Sequence, residues 1–255
     1  MDTYPILEFD PAKEAVLEPT SHIKPVEVSE YCVFSFFRDV IEKVAREIPV
    51  RIVKVLNSEM GKHPLYEMDF KGKKIAFFHS PVGAPFAAAA LEEVIAVGCR
   101  KFIACGGSGV LDSSIHCGKV VVPYSALRDE GTSYHYLPPS REVEADPEAV
   151  QAIKDTLDDN KIDYISTRTW TTDAVYRETR GIINKRKAEG CLVVEMEAAA
   201  FFAVAKFRGV KFGQVLYGGD DISCEEWDHR DWSKQKDVRE RLFWLSVEAC
   251  LRIKD

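Results

Sequence analysis

The 255-residue sequence predicts an α/β domain with helices on both faces of a mixed, largely parallel sheet, and three observations carry that expectation. Apolar runs of strand length alternate along the chain with segments of helical periodicity. Several of these runs end in glycines or acidic residues directly before a helix, the place where α/β sheets put their ligand loops. No repeat, low-complexity tract or linker divides the chain, so one domain is expected over residues 1–255, with 1–30 as an N-terminal arm and loop.

The Pro-rich, polar residues 1–30 read as a strand or extended arm followed by loop. From Tyr31 to Ile48 the spacing of Val33, Phe36, Phe37, Val40, Ile41 and Val44 predicts a helix. Val50 to Leu56, Leu65 to Phe70 and Lys74 to His79 read as strands, and Pro85 to Val97 as an alanine-rich helix. Lys101 to Cys105 predicts a short buried strand that stops at Gly106-Gly107-Ser108-Gly109, where glycines allow positive φ and close approach of a ligand. Lys119 to Pro123 reads as a strand, Asp146 to Asn160 as a helix, Ile162 to Thr169 as extended and Tyr176 to Glu189 as a helix. Leu192 to Val194 predicts a strand running straight into a helix from Glu195 to Phe207. Val210 to Tyr217 predicts a strand ending in Gly218-Gly219-Asp220-Asp221, and Asp237 to Ile253 a closing helix.

Composition narrows the partners. With 34 Lys and Arg against 41 Asp and Glu, the chain carries −7 at neutral pH, which disfavours nucleic acid and anionic membranes and leaves small molecules. No run of about 20 apolar residues is present to span a bilayer. Met1 to Pro11 carries Asp2, Glu8 and Asp10 and lacks a signal-peptide pattern, so a cytoplasmic location is expected. Seven cysteines without CxxC spacing point to reduced thiols and no zinc site.

Three segments could carry chemistry. Glu195-Met196-Glu197 places two carboxylates between an apolar strand and an apolar helix, where desolvation is costly unless a polyhydroxylated ligand donates hydrogen bonds. The alternative is that both glutamates serve the helix macrodipole. Gly106 to Gly109 could cradle an anion with backbone N–H groups, Ser108 adding a hydroxyl, or could be a purely steric glycine turn. In Asp220-Asp221, strand alternation lets only one carboxylate face a pocket, where it could act as a general acid, or stand as a solvated turn acid. His79 and His135 read as packing or loop residues, and no nucleophile–histidine arrangement is defined.

Val194-Glu195-Met196-Glu197-Ala198-Ala199-Ala200, the later Gly219-Asp220-Asp221-Ile222 and the upstream Cys105-Gly106-Gly107-Ser108-Gly109-Val110 together resemble the nucleoside phosphorylase family, which includes purine nucleoside phosphorylases, uridine phosphorylases and adenosylhomocysteine nucleosidases. The resemblance runs from about Ile6 to Ile253, and Arg128 to Tyr136 is most similar to the uridine phosphorylase branch. It implies a three-layer α/β/α fold, a homodimer or homohexamer with shared active sites, and no metal or organic cofactor, inorganic phosphate being a co-substrate. It assigns the ribose to Glu197 and Met196, with Glu195 and Ser108 beside them, and makes Glu197 and Asp220 the catalytic pair. Tyr176, Thr179, Arg180 and Asp220 are implied at the base, and Lys13, Gly107, Ser108 and Arg128 at the phosphate. The chain departs from the family at Phe9-Asp10-Pro11-Ala12-Lys13, where the family has Gly-Asp-Pro-x-Arg, and at Ala104 and Thr179, where it has arginine and glutamine. The implied reaction is attack of phosphate on the anomeric carbon of a purine or pyrimidine nucleoside, giving free base and ribose 1-phosphate. A hydrolytic nucleosidase and a non-catalytic nucleoside-binding relative are the alternatives.

Overall fold

In the computed structural model, which describes residues 4–254, a 3-10 turn at Pro5–Leu7 and the short α1 (Pro19–His22) precede the sheet. The order is then β1 (Tyr31–Ser35), α2 (Arg38–Glu47), β2 (Val50–Ser58), β3 (Gly61–Phe70), β4 (Lys73–His79), α3 (Ala84–Val97), β5 (Lys101–Val110), β6 (Val120–Asp129) and β7 (Glu142–Glu144). It continues with α4 (Pro147–Asp159), β8 (Tyr164–Thr172), α5 (Arg180–Ala188), β9 (Cys191–Glu195), α6 (Ala198–Arg208), β10 (Lys211–Asp221) and α7 (Lys236–Cys250).

The sheet is mixed. β1 lies parallel between β4 and β5, and β5–β10, β6–β8 and β8–β9 are also parallel. β2, β3 and β4 form an antiparallel meander. From β5 the path runs through β9, β8 and β6 to β10, and β10 pairs back onto β5, so these five strands close into a ring from which β1, β4, β3 and β2 extend as a wing. Closure leaves the ring strands without an unpaired edge. Helices cover both faces. Phe212 stacks on Phe201 of α6 whereas a side chain at its neighbour Gly213 would meet Ala149 and Ile153 of α4, and successive strand residues face opposite ways. α3 packs beside α6, and α7 beside α4. Among the described residues no helix is long and apolar enough to cross a membrane.

The core centres on Phe34, Phe102, Phe201 and Phe212, all fully buried. Phe212 is the hub, with ring centroids 4.6 Å from Phe201, 5.8 Å from Phe102 and 6.3 Å from Phe34. Truncating it opens a cavity that neighbours on three elements cannot fill together, so Phe212→Ala is expected to cost about 3–5 kcal/mol in chemical denaturation. A loss under about 1 kcal/mol would show that this cluster does not hold the sheet to α6.

Four sequence expectations are corrected. Tyr31 to Ile48 is a strand followed by a helix, because Cys32, Val33 and Phe34 are buried on successive residues, as a central parallel strand covered on both faces requires; the three- and four-residue spacing ran across the join. The strand expected to stop at Cys105 continues through Gly106 to Val110, and none of its glycines has positive φ. Gly106 is there for room: a Cβ would lie 2.9 Å from Cδ2 of Phe36. Tyr176 to Glu189 divides into a 3-10 turn at Val175–Arg177 and α5, and α6 begins at Ala198 rather than Glu195. Of the two readings of the first thirty residues, the strand does not form in the described part, which leaves the arm and loop.

Candidate active site

The carboxyl ends of β5 and β10 and the β9–α6 junction meet at a cavity of about 360 Å³. Glu195, the last residue of β9, is buried, and its side chain turns back to close that junction. One oxygen accepts from the Thr171 and Thr169 hydroxyls of neighbouring β8 at 2.6 and 3.3 Å. The other accepts from the N–H groups of Glu197 and Ala198 at 2.8 and 2.6 Å, donors that the first turn of α6 otherwise leaves unpaired. Burial pushes this carboxyl up, and the bonds from Thr171 and the backbone oppose it. The helix-terminus reading therefore holds for Glu195, whose oxygens are both taken, so it is not free to grip a sugar.

Glu197 is different. It stands at the N-cap of α6 with φ −137° and ψ −27°, outside helical geometry, so its side chain leaves the helix and lines the cavity. It is 4% exposed and accepts the Gly83 N–H at 2.6 Å. Gly83 holds φ +94°, a left-handed conformation that glycine adopts without strain, at the start of α3. Burial first and the Glu195 carboxylate second push Glu197 up to about 8, against the pull of the Gly83 N–H. Met196 lines the wall beside it. Gly107 and Ser108 form part of the same wall, and the Ser108 hydroxyl donates to the Tyr217 carbonyl at 3.1 Å.

Alternation separates the two aspartates as expected. Asp220 faces the cavity and accepts the Trp227 indole N–H at 2.7 Å. Asp221 is fully buried on the other side, binding the N–H and hydroxyl of Ser223 and the Arg230 guanidinium.

The base and phosphate expectations fare otherwise. Tyr176 is 95% exposed and Thr179 is exposed at the head of α5. Arg180 donates to the carbonyls of Ile222 and Glu225 at 2.6 and 2.8 Å, clasping the segment after β10. Between them Glu178 turns inward: it is half-buried, lines the cavity, and is pushed up to about 7 by burial and then by Asp220. Lys13 lies 4.5 Å above the Phe207 ring in a separate cavity. Phe207 is ten residues along α6 from Glu197, roughly 15 Å at 1.5 Å per residue. Arg128 is buried in its own loop, donating to Ser133 at 2.8 Å, Ser140 at 2.7 Å and the Pro138 carbonyl at 2.8 Å. A desolvated guanidinium needs such a full set of partners, which leaves Arg128 none for phosphate.

Two residues without a sequence assignment complete the cavity. Gln214 of β10 is fully buried, lines it, and has neither amide atom hydrogen-bonded. A lone amide in the apolar run Val210 to Tyr217 was its signal. Arg239 of α7 is the one Lys or Arg among the described lining residues. It pairs with Asp39 at 2.7 Å and donates to the Ser233 carbonyl at 3.2 Å, while its Nε is buried without a partner. Nothing in the sequence marks it among the charges of that helix.

Comparison with known proteins finds relatives over most of the chain. The chain is 27% identical over 200 residues to a guanosine phosphorylase of Halorubrum lacusprofundi, covering 76% of this chain and 83% of that one. It is 23% identical to the uridine phosphorylase of Escherichia coli, covering 84% and 88% of the two chains. The crystal structure of purine nucleoside phosphorylase from Toxoplasma gondii in complex with immucillin-H superposes with a TM-score of 0.75 at 20% identity, over 91% and 93% of the chains, and shares the fold. The family model described as the phosphorylase superfamily matches residues 31–251. That span runs from the first sheet strand past the end of α7, through every element that meets at the cavity, and the chain therefore belongs to the phosphorylase superfamily.

Proposed function

We propose that the protein is a nucleoside phosphorylase, a pentosyltransferase that moves the pentose of a nucleoside from its base to inorganic phosphate. The observation that carries this reading is Glu197: a buried carboxylate on a cavity wall, whose bond from Gly83 leaves acceptor capacity for a sugar diol. Vicinal hydroxyls donating to it offset its desolvation, and its charge favours the cationic sugar that forms as the glycosidic bond lengthens. Met196 packs beneath the sugar, while Glu195 acts through the backbone it holds. Bond cleavage passes the electron pair to the base nitrogen as a phosphate oxygen bonds to the anomeric carbon.

For the phosphate, the cavity offers Arg239, with Gly107 and Ser108 also in its lining. Arg239→Ala is expected to raise the KM for phosphate by about ten- to a hundredfold and that for nucleoside much less. An unchanged phosphate KM would remove Arg239 from this role. Base release measured with and without phosphate tests the reaction itself. A hydrolytic reading is favoured by Arg239 being the single lining cation and already paired with Asp39, and equal rates in the two assays would establish it. A homodimer or homohexamer with shared sites, and a cytoplasmic location suited to seven free thiols, belong to the same proposal. Analytical ultracentrifugation checks the assembly.

A further inference from the structure

Among the described residues that line the cavity, Gln214 alone is fully buried with a polar side chain that makes no hydrogen bond. Its surroundings on the sheet offer it nothing. Ala104 stands opposite it on β5, and Phe212 and Leu216, which share its face of β10 two residues before and after, are buried and apolar. An amide in such company costs stability unless a ligand completes it, so it marks a wall built to receive polar ligand atoms.

The fold sets that amide level with Glu197. Only Gly209 and Val210 separate α6 from β10, so the helix runs back along the strand that follows it. The Phe201 and Phe212 rings, stacked at 4.6 Å, fix the height of one element against the other. From that contact Gln214 lies two residues onward along β10, about 7 Å at 3.3 Å per residue. Glu197 lies four residues back along α6, about 6 Å at 1.5 Å per residue. The amide and the carboxylate therefore stand at one level on facing elements, and both line the cavity.

Their hydrogen-bonding capacities are complementary. Glu197 as an anion only accepts, and the Gly83 N–H takes part of that capacity. Gln214 has two N–H donors and a carbonyl oxygen. A vicinal diol has two protons to give and two oxygens that accept. One hydroxyl can donate to Glu197 while its oxygen accepts from Nε2 of Gln214, and the other can donate to Oε1 of Gln214. Hydrogen phosphate presents acceptors almost throughout, so it would leave the amide oxygen bare, and its charge calls for Arg239 rather than a neutral group.

Resting on the phosphorylase reading and on Glu197 as its sugar contact, we infer that Gln214 is a specificity-determining residue that reads the pentose diol together with Glu197, and that the protein takes ribonucleosides in preference to 2′-deoxyribonucleosides. A 2′-deoxy sugar returns part of the amide to its unpaired state inside a closed wall. A site built around a hydroxyl rejects the analogue lacking it far more strongly than an apolar pocket rejects a missing methylene.

The test measures kcat/KM for inosine against 2′-deoxyinosine and for uridine against 2′-deoxyuridine, in wild type and in Gln214→Met, which keeps the length of the side chain and drops its polar atoms. Wild type should prefer the ribonucleoside of whichever base it cleaves by about a hundredfold, and the variant by less than about tenfold, the loss falling on the ribonucleoside. The free variant should melt at or above wild type, because an unpartnered buried amide has gone. Its KM for phosphate should stay within about twofold, in contrast to Arg239→Ala. Equal turnover of the two sugars by wild type, an unchanged preference in the variant, or a loss shared equally by both sugars would overturn the assignment, as would a change confined to the phosphate KM. Cleavage without phosphate that keeps the sugar contrast would sink the phosphorylase reading alone. Should none of the four nucleosides turn over, their calorimetric titration reads the same contrast: ribonucleosides binding about tenfold tighter, and only with Gln214 in place, support the assignment, whereas equal affinity or no binding overturns it.

Discussion

Glu197→Gln should lose on the order of a thousandfold in kcat/KM and yet melt higher than wild type in alkaline buffer. The loss follows from removing the negative charge beside a cationic transition state. The gain follows from linkage. Glu197 is held up to about 8 against an ordinary value of 4.5, so between those values the native state binds a proton that the unfolded chain has released. Stability therefore falls as pH rises through that window, and above it the buried charge stands at a penalty on the order of 5 kcal/mol. Glutamine has no proton to lose and keeps that stability. Melting curves at pH 5 and pH 9 measure the difference; a variant that melts lower than wild type at pH 9 would refute a strained, functional carboxylate. The same group makes nucleoside binding proton-linked, because sugar hydroxyls favour the anion. Calorimetry in buffers of different ionisation enthalpy should record proton release below pH 8.

Glu195 should separate its substitutions in the opposite manner. Glu195→Ala strands the N–H groups of Glu197 and Ala198 at a buried helix start together with the Thr171 hydroxyl, and it is expected to cost about 3–4 kcal/mol and most of the activity. In Glu195→Gln the carbonyl oxygen can still accept both N–H groups while its amide donates to Thr171 and Thr169, so a loss of about 1 kcal/mol is expected. Removing the like charge also lets Glu197 ionise at lower pH, so the acid limb of kcat/KM should move down. A hundredfold loss of activity in folded Glu195→Gln would instead make Glu195 a general base.

The strand–acid–helix junction and the opposed aspartates were legible in the sequence because strand period and the cost of a carboxylate beside apolar residues are local properties. The strand at Tyr31–Ser35 was not, since a fully buried parallel strand lacks alternation and its apolar residues merged with those of α2. Glu178 was passed over for Tyr176, Thr179 and Arg180 because a single 3-10 turn decides which of them faces inward, and no period announces it. Gln214 and Arg239 come from elements distant in sequence, and only tertiary packing brings the unpartnered Gln214 amide and the Arg239 guanidinium to one cavity.

The hoop formed by β5, β9, β8, β6 and β10 has no free end from which a ladder could peel, so its amides should exchange with solvent only through global unfolding, while β2 at the tip of the wing frays first. The acid at the end of β10 and the glutamates at the β9–α6 junction are thus pinned at a fixed span. Adaptation to a differently shaped nucleobase must come from the two stretches hung from the hoop, residues 173–179 and 222–235, which is where variation in selectivity should accumulate.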